Sequence, residues 1–226
     1  MSFGRDPYPM KSFVTCLLVL LLAVSGHAAL RVALIFDDGP DPKQNARLLQ
    51  TLADANVKVT FAYVGKAVEA NPGLARGAAN AGHDFCNHSF THAHLRDLDD
   101  AKVKDEMART SQAIEQAVGR APSFFWAPYL ETDERVGRLT LEATGLRHFP
   151  LPRAHLVSSD DWNAANTNAA AIYRNATTGV RDLTVILFHE WRAETVDQLP
   201  AILKELRRQG CEFHTFTELA ALLPPG

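Results

Sequence analysis

Short apolar runs alternate with segments of helical period along most of the chain, and this alternation constrains the fold more than any other feature. Residues 30–36 read as a strand. Residues 43–55 follow as a helix, with Ala46, Leu49, Leu52 and Ala53 on one face. Residues 57–64, rich in β-branched and aromatic side chains, make a second strand. An Ala-rich helix over 71–81 is closed by Gly82, and 83–87 is a third strand. The clearest helix covers 99–118, where Val103, Met107, Ile114 and Val118 form one stripe between an Asp at the start and Gly119 at the end. Beyond it, 123–126, 183–188 and 211–216 read as strands, and 133–143 and 168–178 as helices. Val196, Leu199, Leu203 and Leu206 mark one more helix, ending before Gly210, while 146–157 has no clear period. Successive parallel strands need a crossover of a dozen or more residues, and a helix supplies it. The expected fold is therefore a single α/β domain, either a barrel or a doubly wound sheet.

The first residues follow another rule. Lys11 precedes an apolar run over 13–24, and Gly26 and Ala28 stand where a leader would be cleaved. A bilayer span needs ~20 apolar residues, so this shorter run fits a signal peptide better than an anchor. Residues 1–28 are expected to direct export, to the periplasm or beyond the cell, and 29–226 to form the folded domain without stable membrane insertion. The net charge of −3 gives no footprint for nucleic acid. Cys86 and Cys211 remain after cleavage; an exported protein can pair two cysteines, but their distance is not readable from sequence.

In parallel α/β folds, reactive groups collect at the C-terminal ends of the strands. Asp37 and Asp38 follow the first strand and precede Gly39-Pro40. Adjacent carboxylates repel, so burying both is costly without a cation or proton, although Asp-Gly is also ordinary turn chemistry. His88 and His92 follow the third strand at a spacing that lets two imidazoles meet one metal from a single helical turn. On their own they could equally be surface histidines. Two His and one carboxylate around an open position form a frequent catalytic zinc arrangement, and the acids of the first strand tip the balance towards it. His94, two residues past His92, points elsewhere on a helix. Later strand ends carry Phe125-Trp126-Ala127-Pro128-Tyr129, Asp160-Asp161-Trp162 and Leu187-Phe188-His189.

Phe-Asp-Asp-Gly-Pro, His-Ser-x-x-His, x-Pro-Tyr, Asp-Trp and Leu-x-His, in this order, resemble the polysaccharide deacetylase family of carbohydrate esterases from about residue 30 to about 220. The resemblance implies a distorted, incomplete β/α barrel that removes acetyl groups from sugars with one divalent metal. Zinc suits the donors, and Co2+ or Ni2+ would fit them too. By position, Asp38, His88 and His92 would bind the metal, and Asp37 would be the general base towards the attacking water. The Tyr129 N–H would bind the oxyanion, and His189, kept charged by Asp161, would protonate the departing sugar atom. Leu187 and Trp162 would hold the acetyl methyl. The implied substrate is a glycan containing N-acetylglucosamine. Acetylated xylan and a non-catalytic, metal-stabilised glycan-binding role are the alternatives, whereas a serine hydrolase lacks its Gly-x-Ser-x-Gly elbow.

The chain departs from the family pattern at Leu130, where Gly commonly follows the Tyr, and at two further positions. Trp126 stands where the family has Arg, and Ser158 where it has Asp. Losing both avoids a lone buried charge, which would cost ~3–5 kcal/mol. The expectation is a reorganised polar neighbourhood, a raised Asp37 pKa, and a Trp126 face open for stacking on a sugar ring.

Overall fold

The computed structural model describes Met1 and residues 28–149 and 152–223. The first half runs β1 (Leu30–Gly39), α1 (Asn45–Asp54), β2 (Thr60–Tyr63), α2 (Gly65–Ala70), α3 (Pro72–Asn80), β3 (Asp84–Asn87) and α4 (Asp100–Val118). The second runs β4 (Phe124–Phe125), α5 (Glu134–Thr144), β5 (Leu156–Ser158), α6 (Ala169–Thr177), β6 (Thr184–His189), α7 (Ala193–Arg208), β7 (Cys211–His214) and α8 (Phe216–Ala220). All seven strands pair in parallel in the order β4-β3-β2-β1-β6-β5, and β7 also pairs with β1. Among the described residues the sheet is not closed, so the single α/β domain is the incomplete barrel expected.

β1 is apolar on both faces because both are covered. Val32, Leu34 and Phe36 enter the outer core with Leu48 and Leu52 of α1 and with Val196, Leu199, Ile202, Leu203 and Leu206 of α7. Ala33 and Ile35 point inward, among Ala62, Val185, Leu187, Trp126 and Phe216. Each fully buried Leu or Phe contributes about 1.5–3 kcal/mol. The period of two then decides where the acids go. After Ala33 and Ile35 the next inward residue is Asp37; after Val185 and Leu187 it is His189, and these two residues are register partners.

Helix ends follow their capping residues. Asp99 accepts from Lys102 N at 2.9 Å, Asp133 from Val136 N at 2.8 Å, and Asn168 from Ala171 N at 2.9 Å. The structure departs from the sequence expectations in three places. α2 is an added short helix, separated from α3 by Asn71, and Pro72 opens α3. The aperiodic 146–157 region includes a bridge between His148 and Phe125 and runs into β5 at Leu156. The last strand stops at His214, because Thr215 and Glu218 form a capping box that starts α8. Cys86 and Cys211 are free, buried thiols. The expected leader over 1–28 lies almost wholly outside the described residues, among which no helix is long and apolar enough to cross a membrane.

Candidate active site

Two neighbouring residues of a regular strand point to opposite faces, yet both acids at the end of β1 reach one cleft. Asp38 takes a left-handed conformation, φ 70°, and the β1–β2 register slips by one residue between Asp37 and Gly39. The following turn is latched from β6. Glu190 N donates to the Asp37 carbonyl at 3.0 Å, while its carboxylate accepts from Asp41 N at 3.1 Å and Asn45 Nδ2 at 2.7 Å. Only glycine fits at position 39, since a Cβ there would lie 1.9 Å from Glu190 Oε2. Burial pushes the fully enclosed Glu190 carboxyl up to about 7.

The two histidines do not share a helical turn. They sit on a loop in which Ser89 and His92 have φ of 61° and 59°. Glu106 of α4 gathers that loop, accepting from Phe90 N at 2.7 Å, Thr91 N at 2.8 Å and Thr91 Oγ1 at 2.8 Å. His88 Nδ1 lies 2.8 Å from the Trp126 carbonyl. A carbonyl only accepts, so Nδ1 carries a proton, and in the neutral ring Nε2 keeps its lone pair. Asp38 Oδ1 lies 3.5 Å from that Nε2 and 3.2 Å from His92 Nε2. It is buried and accepts no hydrogen bond. One donor atom from each of Asp38, His88 and His92 falls within 4.8 Å of the others. A buried carboxylate oxygen without a donor, facing two imidazole nitrogens, fits a divalent cation such as zinc, cobalt or nickel. Burial opposes ionisation of Asp38, but the histidines around it hold its pKa below the usual carboxylate range.

Asp37 is also buried. Its Oδ2 accepts from Trp126 Nε1 at 3.0 Å, and its Oδ1 has no hydrogen-bond partner. Burial raises its pKa to about 6, against the pull of His88 and His189. The expected open face on Trp126 is not there. The ring is 2% exposed, stacked on His148 with centroids 5.6 Å apart and packed edge-on to Phe216. Its role is reversed: the ring fills the inner core and only its N–H meets the site.

His189 faces the acids from β6. Its Nδ1 is 2.7 Å from Asp161 Oδ1, and Asp161 Oδ2 accepts from His189 N at 2.8 Å and Thr195 Oγ1 at 2.6 Å. Burial would lower the His189 pKa, but the Asp161 hydrogen bond and the nearby carboxylates raise it to about 9. Asp37, Asp38, His88, His92 and His189 open into a cleft of about 410 Å³, floored by Leu187 and rimmed by Tyr129, Ser158, Trp162 and Trp191. Tyr129 has φ 58°, and its ring stacks on His94 with centroids 3.8 Å apart. His94 also meets Glu131, 3.1 Å away, and is not among the grouped donors. Glu190 and Trp191 were not singled out in the sequence. Their signal is position, since they directly follow Leu187-Phe188-His189.

Residues 27–149 match the family model described as polysaccharide deacetylase. The chain is 32% identical over 189 residues to the peptidoglycan-N-acetylglucosamine deacetylase PgdA of Listeria monocytogenes, covering 84% of this chain but only 38% of that protein. A family 4 carbohydrate esterase from Streptomyces lividans, solved in complex with acetate, superposes with a TM-score of 0.73 at 33% identity, over 81% of this chain and 91% of the other. A family 4 acetyl xylan esterase from Clostridium thermocellum, solved with a cobalt ion, gives 0.74 at 33% identity over 85% and 91%. With the family model spanning more than half of its length, the chain belongs to the polysaccharide deacetylase family.

Proposed function

We propose that the protein is an exported deacetylase that hydrolyses acetyl groups from glycans containing N-acetylglucosamine, with one divalent metal, zinc, held by Asp38, His88 and His92. The observation that carries this reading is the register of Asp37 with His189, which sets a carboxylate and an imidazole on adjacent strands beside the three donors in one cleft. When bound, the cation supplies a Lewis acid that polarises the acetyl carbonyl and lowers the pKa of water. Asp37 Oδ1, free of any donor, takes the proton from the attacking water, while Trp126 holds Oδ2. The N–H of Tyr129 stabilises the oxyanion. His189, with Nδ1 committed to Asp161, gives its Nε2 proton to the departing sugar atom. Leu187 and Trp162 receive the methyl group, and the exposed faces of Tyr129 and Trp162 bear the sugar. The folded unit is the deacetylase-like domain over 29–226, following a leader over 1–28.

Acetate release from N-acetylglucosamine oligomers and from acetylated xylan, with added zinc, tests this. Acetate from the oligomers supports it. Acetate from xylan alone would move the substrate to O-acetyl esters, a reading favoured by the likeness to the acetyl xylan esterase. None from either, with zinc bound, would leave a glycan-holding role.

Trp126→Phe separates the two roles considered for that ring. A buried carboxylate oxygen stripped of its donor costs about 1–3 kcal/mol, so kcat is expected to fall with KM nearly unchanged. A rise in KM at constant kcat would return the ring to sugar binding.

A further inference from the structure

Trp191 Nε1 donates to Asp38 Oδ2 at 2.9 Å. The other oxygen, Oδ1, is buried without a donor and faces His88 and His92. We propose that Trp191 is a positioning residue for the metal site, fixing the Asp38 carboxylate so that Oδ1 alone is presented to the cation. The proposal rests on the reading of Asp38, His88 and His92 as ligands.

Asp38 needs such a partner. It sits at the register slip in a left-handed conformation, so the regular strand does not set the direction of its side chain. About a quarter of that side chain is exposed, at 23%, which leaves Oδ2 within reach of water. Water can donate or accept and turns freely, whereas an indole N–H is a donor only, on a rigid ring. The indole is also neutral. A lysine or arginine on Oδ2 would orient the carboxylate as well, but its charge would repel a cation only a few ångströms away. A neutral donor keeps the full negative charge of Asp38 for the metal.

The backbone beneath Trp191 is anchored, so the ring is not a loose flap. The preceding Glu190 is tied to β1 through the Asp37 carbonyl and to the turn through Asp41 N and Asn45 Nδ2. The turn that leaves β6 just after His189 therefore carries the donor for Asp38. Asp37 is treated in the same way by a different element, with Trp126 on its Oδ2 and its Oδ1 free. Each member of the acid pair has one oxygen taken by an indole and one left for chemistry.

Trp191→Phe removes the N–H and keeps an aromatic wall; Trp162→Phe, at the other exposed indole of the rim, is the control. The full protein, stripped of metal by a chelator, would be titrated with Zn2+ by calorimetry and with Co2+ by its visible absorption. Loss of an outer partner of a ligand typically weakens metal binding 10–100-fold. Trp191→Phe is therefore expected to bind Zn2+ about 10–100-fold more weakly and to shift the Co2+ bands, with Trp162→Phe matching wild type. Wild-type affinity and an unchanged Co2+ spectrum in Trp191→Phe would overturn the proposal and leave the ring as a wall of the cleft. Equal weakening in both variants would overturn it too, by showing an unspecific effect. Failure of the wild type to bind either ion would bring down the ligand reading itself.

Discussion

Asp37→Asn is expected to lower acetate release by about 10²–10⁴-fold, the usual worth of a general base, while Zn2+ binding persists. An asparagine keeps the shape of the side chain, and its carbonyl can still accept from Trp126 Nε1, now 3.0 Å from Asp37 Oδ2. What it cannot do is take a proton at the position of Oδ1. The variant also removes a charge from a site where burial disfavours it, as the rise of the Asp37 pKa to about 6 records. The metal-free variant is therefore expected to melt at or above the wild-type temperature, the usual exchange of activity for stability at such sites. Acetate release, zinc calorimetry and thermal unfolding on the same preparation check all three parts. A rate within a few-fold of wild type would remove Asp37 from the chemistry.

Asp161→Asn is expected to be comparably severe, but in a pH-dependent way. Three donors converge on Asp161: the His189 N–H, the His189 ring at Nδ1 and the Thr195 hydroxyl. An asparagine offers one acceptor oxygen and turns an NH2 towards the remaining donors, leaving a buried group unsatisfied at a cost of about 1–3 kcal/mol. The raised His189 pKa has a definite sign. The ion pair contributes its full stability below the ordinary histidine pKa of 6.5 and loses it as pH climbs through about 9. In the variant the His189 pKa falls, so the acid is deprotonated sooner and the alkaline limb of kcat moves to lower pH. The deficit against wild type should widen from pH 6 to pH 9. A variant profile that merely scales the wild-type curve would show that Asp161 does not tune His189.

Much of the site was legible because it depends on strand ends. Periodicity placed the end of the first apolar run at Asp37 and Asp38, and the chemistry of parallel sheets gathers such ends together. The three grouped donors, the Asp161–His189 pair and the Leu187 floor all meet where those strand ends converge. The conformation that unites His88 and His92 was not legible. A spacing of four suits a helix, but here two left-handed residues and the Glu106 carboxylate shape a loop instead. Trp126 was misread for a related reason. Residue type suggested a sugar platform, whereas burial depends on Phe216 and His148, far away in sequence. Long-range side-chain contacts of this kind leave no local period to read.

The central position of β1 also bears on how the site is assembled. The strand carrying both acids is made early in the chain, yet its neighbours β6 and β7 begin at Thr184 and Cys211. Contacts so distant in sequence are slow to form, since loop closure must precede any gain from pairing. Asp37 can pair early with Ala62 of β2, but its partner on the other side, His189 of β6, arrives only after most of the polypeptide has been synthesised. Amide protons of β1 are expected to exchange only through global opening. A nascent or partly folded chain would carry Asp37 and Asp38 without the imidazole opposite them, so the cleft is complete only once β6 has docked against β1.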